Sequence, residues 1–203
     1  MRLDWNRSDP IRSEEKKIWA GIRAGERKEL NELFRRYYDH LFNYSIRIID
    51  DEQAVKDAIQ ELFIRLWERR ESLGDAKSIE AYLLSSIRRI LLRTKESTQK
   101  KAEYNRAYIE ELPLVTFAME EVLIQSELHQ QQKESLQIAI QSLNNRQKEA
   151  LFLRYYHGLT SSEISMVMGV NAQSVRNHLA RAIASLRVYL KDKNQKTIHS
   201  LSF

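Results

Sequence analysis

The chain has no cysteine, only two prolines and only five glycines among its 203 residues. Without cysteine it can form no disulfide framework, thiol nucleophile or thiolate metal site, as is usual in a reducing cytoplasm. So little glycine and proline disfavours a loop-rich all-β sandwich or barrel. No segment approaches the roughly 20 apolar residues that cross a bilayer, and residues 1–10 are charged, without a signal-peptide run. We therefore expect a cytoplasmic protein with no membrane insertion.

The residues that are abundant favour helices. Hydrophobic residues make up 42% of the sequence and charged residues 30%, which is enough for one or two packed domains. Leu, Ile, Ala, Glu, Lys, Arg and Gln are all common, and all are compatible with helices. The net charge of +5 is unevenly distributed, because residues 133–203 hold 10 basic and 4 acidic side chains, whereas residues 99–132 hold 3 and 6. This asymmetry is typical of a nucleic-acid-binding module tethered through an acidic connector.

Apolar residues recur at helical spacing in two stretches of the chain. The first covers residues 14–94, with breaks at 24–25, 50–52 and 71–75. Residues 95–132 are rich in Lys, Gln, Ser and Glu and are interrupted by Pro113, which predicts a flexible acidic linker. Helical periodicity returns over residues 133–190. The sequence therefore predicts an all-α protein with two helical domains, 14–94 and 133–190, joined by the linker 95–132.

The most specific pattern lies at 158–179 and is typical of a helix-turn-helix. Thr160 is followed three positions later by Glu163, which is the pattern of a capping box at the start of a helix. Gly169 favours the left-handed conformation that turns the chain sharply, and Asn171 is placed to cap a second helix. The predicted buried stripe of the first helix consists of Ile164, Val167 and Met168.

The second helix of this motif is amphipathic, with Val175, Leu179, Ile183 and Leu186 pointing inward. The opposite face and its flanks are rich in donors that can reach base edges and phosphates in a major groove. An ordinary helical hairpin would have a solvated polar face of the same kind. No second His or Cys stands at ligand spacing from His178, which favours a phosphate or solvent neighbour over a metal ligand. The DNA-contacting candidates are Gln173, Ser174, Arg176, Asn177, His178 and Arg181.

Residues 143–155, continuing into Gly158-Leu159-Thr160 and the helix-turn-helix, resemble region 4 of extracytoplasmic-function (ECF) sigma factors of the sigma-70 family. Asn144 stands where the family usually has proline. Residues 175–182 are similar to the family's recognition helix, which binds the minus-35 promoter element. The resemblance implies that this helix contacts bases.

A helix-turn-helix of this kind also occurs in response regulators. The N-terminal half of the chain is therefore needed to distinguish a sigma factor from a response regulator. Residues 32–38 resemble the opening helix of sigma region 2. Residues 57–67 resemble its central Asp-x-x-Gln-Glu-x-Phe-x-x-x-Trp helix, which in the family docks on the coiled coil of the largest polymerase subunit. Spacing alone would favour an ordinary solvated helix face here, whereas the resemblance implies polymerase binding by Asp57, Gln60, Glu61 and Arg65.

The residues after Trp67 resemble the family's reader of the minus-10 element, in which unpaired bases are captured by pockets, stacking groups and basic side chains. Family members commonly have Trp-Leu near positions 82–83 and Arg-Asn near positions 88–89, and this chain departs from that pattern at Tyr82 and Arg89. These departures leave the base preference open. The implied minus-10 contacts are Arg69, Arg70, Ser85, Arg88 and Arg89.

The resemblance spans about residues 21–190 and implies an alternative sigma factor. Its implied partners are RNA polymerase core, through the beta-prime coiled coil and the beta flap, promoter DNA with minus-35 and minus-10 elements, and an anti-sigma factor. An enzyme is one alternative, but no Gly-rich phosphate loop, metal cluster or Ser/His/Asp motif supports it, and we expect no catalytic residue, cofactor or metal. The other alternative is a stand-alone helix-turn-helix regulator, which would bind a palindromic site as a dimer without polymerase.

Overall fold

The computed structural model describes residues 9–103 and 138–200, with side chains at 13–95 and 138–188. These residues fall into two compact units, one in each range. All regular structure within the described ranges is helical, which confirms the all-α prediction. No helix in this part of the chain is long and apolar enough to span a bilayer.

Four helices form the first unit. Asp51 caps one of them, because its carboxylate accepts hydrogen bonds from the backbone N–H groups of Gln53 (2.9 Å) and Ala54 (3.1 Å). Gly25, with φ of +84°, reverses the chain after the first helix in a conformation that only glycine adopts readily. Both breaks are those predicted from the sequence. The elements are α1 (Asp9–Arg23), α2 (Arg27–Ser45), α3 (Glu52–Glu68), a 3₁₀ turn (Arg70–Ser72) and α4 (Ile79–Glu103).

Helix α2 lies at the centre of the first unit, where it packs against α1, α3 and α4. Burying a large aliphatic or aromatic side chain in such a core contributes about 1.5–3 kcal/mol. Phe34 of α2 is 37% exposed, and its ring packs against the ring of Phe63. The largest fully buried side chains of the unit are Ile22, Leu33, Leu41, Tyr44, Ile59, Leu83, Leu84, Ile87 and Leu91.

The second unit is a smaller helical bundle. Helical residues at 138–141 precede α5 (Asn145–Tyr155), α6 (Ser161–Met168) and α7 (Ala172–Ser200). The last three helices pack against one another. Leu179, Ile183 and Leu186 of α7 lie against a core made of Ile140, Leu143, Leu151 and Ala182.

Local capping explains where the helices of the second unit begin and end. The predicted capping box is confirmed at α6, where the Thr160 hydroxyl accepts from the Glu163 backbone N–H and the Glu163 carboxylate accepts from the Thr160 backbone N–H. Gly169, with φ of +67°, ends α6 in the left-handed conformation predicted for it. A second box begins α5, where Asn144 and Gln147 bond reciprocally at 3.0 and 3.1 Å. Asn144, which stands in place of the family's proline, therefore acts as a helix cap.

Helix α4 continues to Glu103, nine residues beyond the predicted end of the first domain at residue 94. Residues 104–137, which include most of the predicted linker, lie outside the described part of the chain. The linker and the boundaries 14–94 and 133–190 remain predictions.

Candidate functional site

Helix α7 presents most of the predicted DNA-contacting side chains to solvent. Val175 and Ala182 are fully buried on its inner side, which fixes the rotation of the helix. Ser174 and His178 are half-buried on one flank, and the Ser174 backbone N–H donates to the Asn171 side chain at 2.7 Å, which confirms the predicted cap. The candidates that are exposed are Gln173, Arg176, Asn177 and Arg181.

Three of the exposed candidates form a hydrogen-bonded network. The Gln173 side-chain oxygen accepts from the Arg176 guanidinium, with distances of 3.1 Å to Nε and 2.7 Å to Nη2. The Gln173 amide nitrogen donates to Oδ1 of Asn177 at 3.1 Å. The structure thus brings these three side chains together one helical turn apart, while Arg181 continues the same face toward the C-terminus of α7.

Arg146 adds a positive charge to this surface that the sequence candidates did not include. It lies in the first turn of α5, with its guanidinium 3.9 Å from the Glu149 carboxylate. The pKa of His178 lies below its ordinary value of 6.5, mainly because of partial burial, and secondly because of the positive charges of Arg146 and Arg181, with Glu149 opposing them. His178 therefore enters this surface as a neutral imidazole at neutral pH. Only the fold shows the proximity of Arg146, because it depends on the packing of α5 against α7.

We expect the substitution Arg146→Gln to raise the pKa of His178 toward 6.5, because one of the charges that disfavour the imidazolium is removed. The lowered pKa in the folded state also means that this histidine costs no stability above about pH 6.5 and destabilises the unit as the pH falls below that value. A proton NMR titration of the imidazole, assigned by comparison with His178→Gln, measures the pKa. Arg187→Gln, which removes an exposed arginine further along α7, is the control. A wild-type pKa at or above 6.5 would contradict this account.

Helix α3 exposes the side chains predicted to bind polymerase. Its inner side buries Val55, Ile59, Leu62 and Leu66, which leaves the opposite side to solvent. Asp57 accepts a hydrogen bond from the Gln53 amide at 2.9 Å, and Arg65 forms an ion pair with Glu61 one turn earlier. Gln60 is exposed between them. The four candidates therefore lie along one side of the helix, with Arg65 toward its margin.

An apolar residue that the sequence analysis missed lies among these polar side chains. Ile64 is 49% exposed, four residues after Gln60 and three after Glu61, so it shares their side of the helix. The exposure of Ile64 could have been predicted from helical spacing, because this residue falls outside the buried stripe of α3. The surface made of Asp57, Gln60, Glu61, Ile64 and Arg65, called here the α3 surface, combines an apolar centre with polar neighbours, as protein interfaces do.

The predicted minus-10 residues occupy different environments. Arg69 is exposed at the end of α3, whereas Arg70 lies over the Trp67 ring, 4.8 Å from its centroid, and donates to the Trp67 backbone oxygen at 3.0 Å. On α4, the Ser85 hydroxyl donates to the Tyr82 backbone oxygen at 2.9 Å.

The arginines of α4 do not form one continuous exposed ridge. Arg89 is exposed and lies back along the helix, donating to the Ser85 backbone oxygen at 3.2 Å, but Arg88 is buried. Successive positions on a helix face different directions, which accounts for the separation of the two neighbours.

Helix α1 contacts the loop at 73–78 and holds it in place. The sequence analysis did not assign this role to α1. The Trp19 indole N–H donates to the Gly74 backbone oxygen at 2.9 Å, and Arg23 forms an ion pair with Asp75 at 2.6 Å. The Trp19 ring also meets the Tyr82 ring edge-on, 5.3 Å between centroids. A groove of about 640 Å³ lies between this loop and α1. Its lining residues are Glu15, Lys16, Trp19, Ala20, Arg23, Asp75, Ala76, Lys77 and Ile79.

Comparison with known proteins identifies the family. The chain matches the models of "Sigma-70 region 2" over residues 33–101 and "Sigma-70, region 4" over residues 133–186. Both surfaces described above, on α3 and on α7, lie within these matches. The chain belongs to the sigma-70 family, and within it to the ECF sigma factors.

Curated relatives match over most of their length. The RNA polymerase sigma-E factor of Streptomyces avermitilis is 26% identical over 171 residues, which cover 84% of this chain and 89% of that protein. The ECF RNA polymerase sigma factor SigL of Mycobacterium tuberculosis is 23% identical over 183 residues, covering 85% of this chain and 95% of that protein.

Two solved structures share the fold. One is the sigma factor RpoE in complex with the anti-sigma factor NepR from Bartonella quintana, with a TM-score of 0.57 and 16% identity, covering 81% of this chain and 98% of that one. The other is CnrH in complex with the cytosolic domain of CnrY, with a TM-score of 0.56 and 17% identity, covering 88% of this chain and 97% of that one.

Proposed function

We propose that this ECF sigma factor binds RNA polymerase core through the α3 surface and reads the minus-35 element through the exposed side of α7. The observation that carries the proposal is the presence of both surfaces in one chain, in family order, within the two matched regions. A stand-alone helix-turn-helix regulator would account for α7 but would give no reason for the α3 surface. The role is one of binding and not catalysis, and it places the protein in the cytoplasm with the polymerase.

The electrostatics of α7 suit duplex DNA. Arg146 and Arg181 supply positive charge for phosphates, while Arg176 and Asn177 supply hydrogen-bonding groups for base edges. His178, as a neutral imidazole, adds a donor or acceptor and no charge. Because Val175 and Ala182 are buried, the helix is held by packing, and its polar side chains need not contribute to the fold.

We place the minus-10 contacts around the loop at 73–78 and the exposed arginines Arg69 and Arg89. Trp19 and Arg23 hold the loop against α1, so that its backbone is positioned before DNA arrives. Two basic side chains that line the groove, Lys16 and Lys77, are suited to the backbone of a single strand. Ser85, Arg70 and Arg88 already have partners within the protein, and we assign them a supporting role in this element.

An anti-sigma factor is the third partner that we propose. One of the solved structures described above is a sigma factor in complex with an anti-sigma factor. The exposed Ile64 and Phe34 are apolar groups that such a partner would cover when the chain is not bound to polymerase.

Run-off transcription with core polymerase and a genomic promoter library tests the function as a whole. We expect discrete transcripts that depend on both the chain and the polymerase, and weak binding of the chain alone to duplex promoter. Tight binding of a palindromic duplex by a dimer of the chain, without polymerase, would support the regulator instead.

We expect Arg176→Ala or Asn177→Ala to relax base preference at one position of the minus-35 element each, at a cost of roughly 1–3 kcal/mol for the preferred base. Selection from promoters randomised in this element, with each variant in complex with polymerase, measures the preference. Arg181→Ala should instead weaken binding to all promoters alike. It should also lower the slope of log affinity against log salt concentration by about one released counterion, as expected for a phosphate contact.

The control for these variants is Ser185→Ala, which changes an exposed residue on the flank of the same helix. It should leave both the base preference and the salt dependence unchanged. If base preference survives intact in both the Arg176 and the Asn177 variants, α7 does not read the minus-35 element through these side chains.

A further inference from the structure

Gln173 lies between the two side chains proposed to read bases and bonds to both of them. Its side-chain oxygen accepts from Nε and Nη2 of Arg176 at 3.1 and 2.7 Å, and its amide nitrogen donates to Oδ1 of Asn177 at 3.1 Å. We propose that Gln173 is a positioning residue that orients Arg176 and Asn177 together, so that base preference at two promoter positions is coupled through one amide. The proposal rests on the proposed function of α7 and deepens it.

The chemistry of the three side chains allows only one arrangement of these bonds. A guanidinium has donors and no acceptor, so the oxygen of Gln173 has to face Arg176. Its amide nitrogen then faces Asn177, and because that nitrogen is a donor, Asn177 has to turn its own oxygen toward it. The amide nitrogen of Asn177 and the second lone pair of its oxygen are therefore left for DNA, in an orientation set by Gln173. The orientation of Arg176 on one side of Gln173 thus dictates the orientation of Asn177 on the other.

The network also restrains the Arg176 side chain. Residues three and four apart are neighbours on a helix surface, and Arg176 and Asn177 lie on opposite sides of Gln173. Bonded to Gln173 through two nitrogens, the Arg176 guanidinium is held beside Gln173 on the exposed side of α7. An arginine has many rotamers to lose on binding, and a guanidinium that is already oriented loses fewer of them. These bonds are exposed in the free protein and become stronger once DNA excludes water.

Two substitutions at Gln173 separate the two bonds. Gln173→Met keeps the length of the side chain and removes both bonds. Gln173→Glu keeps an acceptor for Arg176 but has no N–H to donate to Asn177. Gln141→Met, the same change at an exposed glutamine of the same unit, is the matched control. Each full-length variant is bound to polymerase core, and promoters are selected from a library randomised in the minus-35 element, beside Arg176→Ala and Asn177→Ala.

We expect Gln173→Met to reduce discrimination roughly two- to tenfold at both positions that the Arg176 and Asn177 variants identify, with an unchanged salt dependence. Gln173→Glu should retain base discrimination at the promoter position that Arg176 reads. It should lose base discrimination at the promoter position that Asn177 reads. At the promoter position that Asn177 reads, the double variant Gln173→Met/Asn177→Ala should lose no more base discrimination than Asn177→Ala alone. The reason is that Gln173 affects this position only by orienting Asn177.

Three results would overturn the inference. One is unchanged discrimination at both positions in Gln173→Met, and another is loss at a separate third position alone, which would make Gln173 a base-reading residue. The third is an identical profile for Gln173→Met and Gln173→Glu. If the Arg176 and Asn177 variants relax preference while the Gln173 variants do not, only the coupling fails. If the Arg176 and Asn177 variants also leave preference unchanged, the proposed function of α7 fails with it.

Discussion

Replacing Glu61 with lysine should weaken binding of the full chain to RNA polymerase core by about 2 kcal/mol or more, which is roughly thirtyfold. Glu61 lies on the α3 surface beside the exposed Ile64 and is paired with Arg65 of the same helix. The substitution places a positive charge next to Arg65 and opposite any basic group of the partner that Glu61 would meet. Equilibrium binding to core polymerase, followed by fluorescence anisotropy of the labelled chain, measures the change.

Glu52→Lys is the matched control for this prediction. Glu52 belongs to the same helix and is paired with Lys56 four residues later at 3.3 Å, as Glu61 is paired with Arg65, but it lies on the opposite side of α3. It should leave core binding within about 0.5 kcal/mol of wild type, because surface charges away from an interface contribute little. If Glu61→Lys and Glu52→Lys bind core equally well and both are folded, Glu61 faces solvent in the complex.

Truncating Leu151 to alanine should destabilise the second unit by about 2–5 kcal/mol. Leu151 is 4% exposed and belongs to the core that holds α7 through Leu179, Ile183 and Leu186. The cavity left by the substitution loosens that support, so minus-35-dependent transcription should fall as well. Native-state hydrogen exchange of the backbone amides in α5, α6 and α7 measures the free energy of opening.

Two further substitutions make this result specific. Leu151→Met conserves volume and should cost less than about 1.5 kcal/mol. Val188→Ala removes a side chain that is 62% exposed on α7, and it should change stability by no more than about 0.5 kcal/mol. Exchange rates in Leu151→Ala that match those of Val188→Ala would show that this leucine does not support the recognition helix.

The features predicted most reliably from the sequence are those decided within one helical turn. The capping box of Thr160 and Glu163, the left-handed Gly169 and the Asn171 cap each depend on residues at most four apart. The second capping box, of Asn144 and Gln147, follows from the same rule, because these two residues are also three positions apart. The hydrogen bonds of Gln173 to Arg176 and Asn177 are also local, although spacing alone does not distinguish them from alternative rotamers.

Periodicity predicted the buried stripes better than it predicted their edges. Phe34 follows the fully buried Leu33 in α2, but its side chain is 37% exposed and its ring lies against Phe63. The family resemblance implied minus-10 contacts for both Arg88 and Arg89, and of these two only Arg89 is exposed. Pattern analysis gives the direction in which a residue points, whereas exposure also depends on how far the neighbouring elements extend.

The sequence by itself determined the all-α class, the helix-turn-helix and most of the polar side chains that α3 and α7 expose, since these follow from local propensity, capping and helical spacing. Only the tertiary structure decided which distant residues meet. The Trp19 indole reaches Gly74, 55 positions away, and Arg23 reaches Asp75, 52 positions away, so that α1 holds the loop beside the groove. The charge of Arg146 likewise acts on His178 because α5 packs against α7. Such contacts depend on how helices pack in three dimensions, and a single sequence carries no local signal for them.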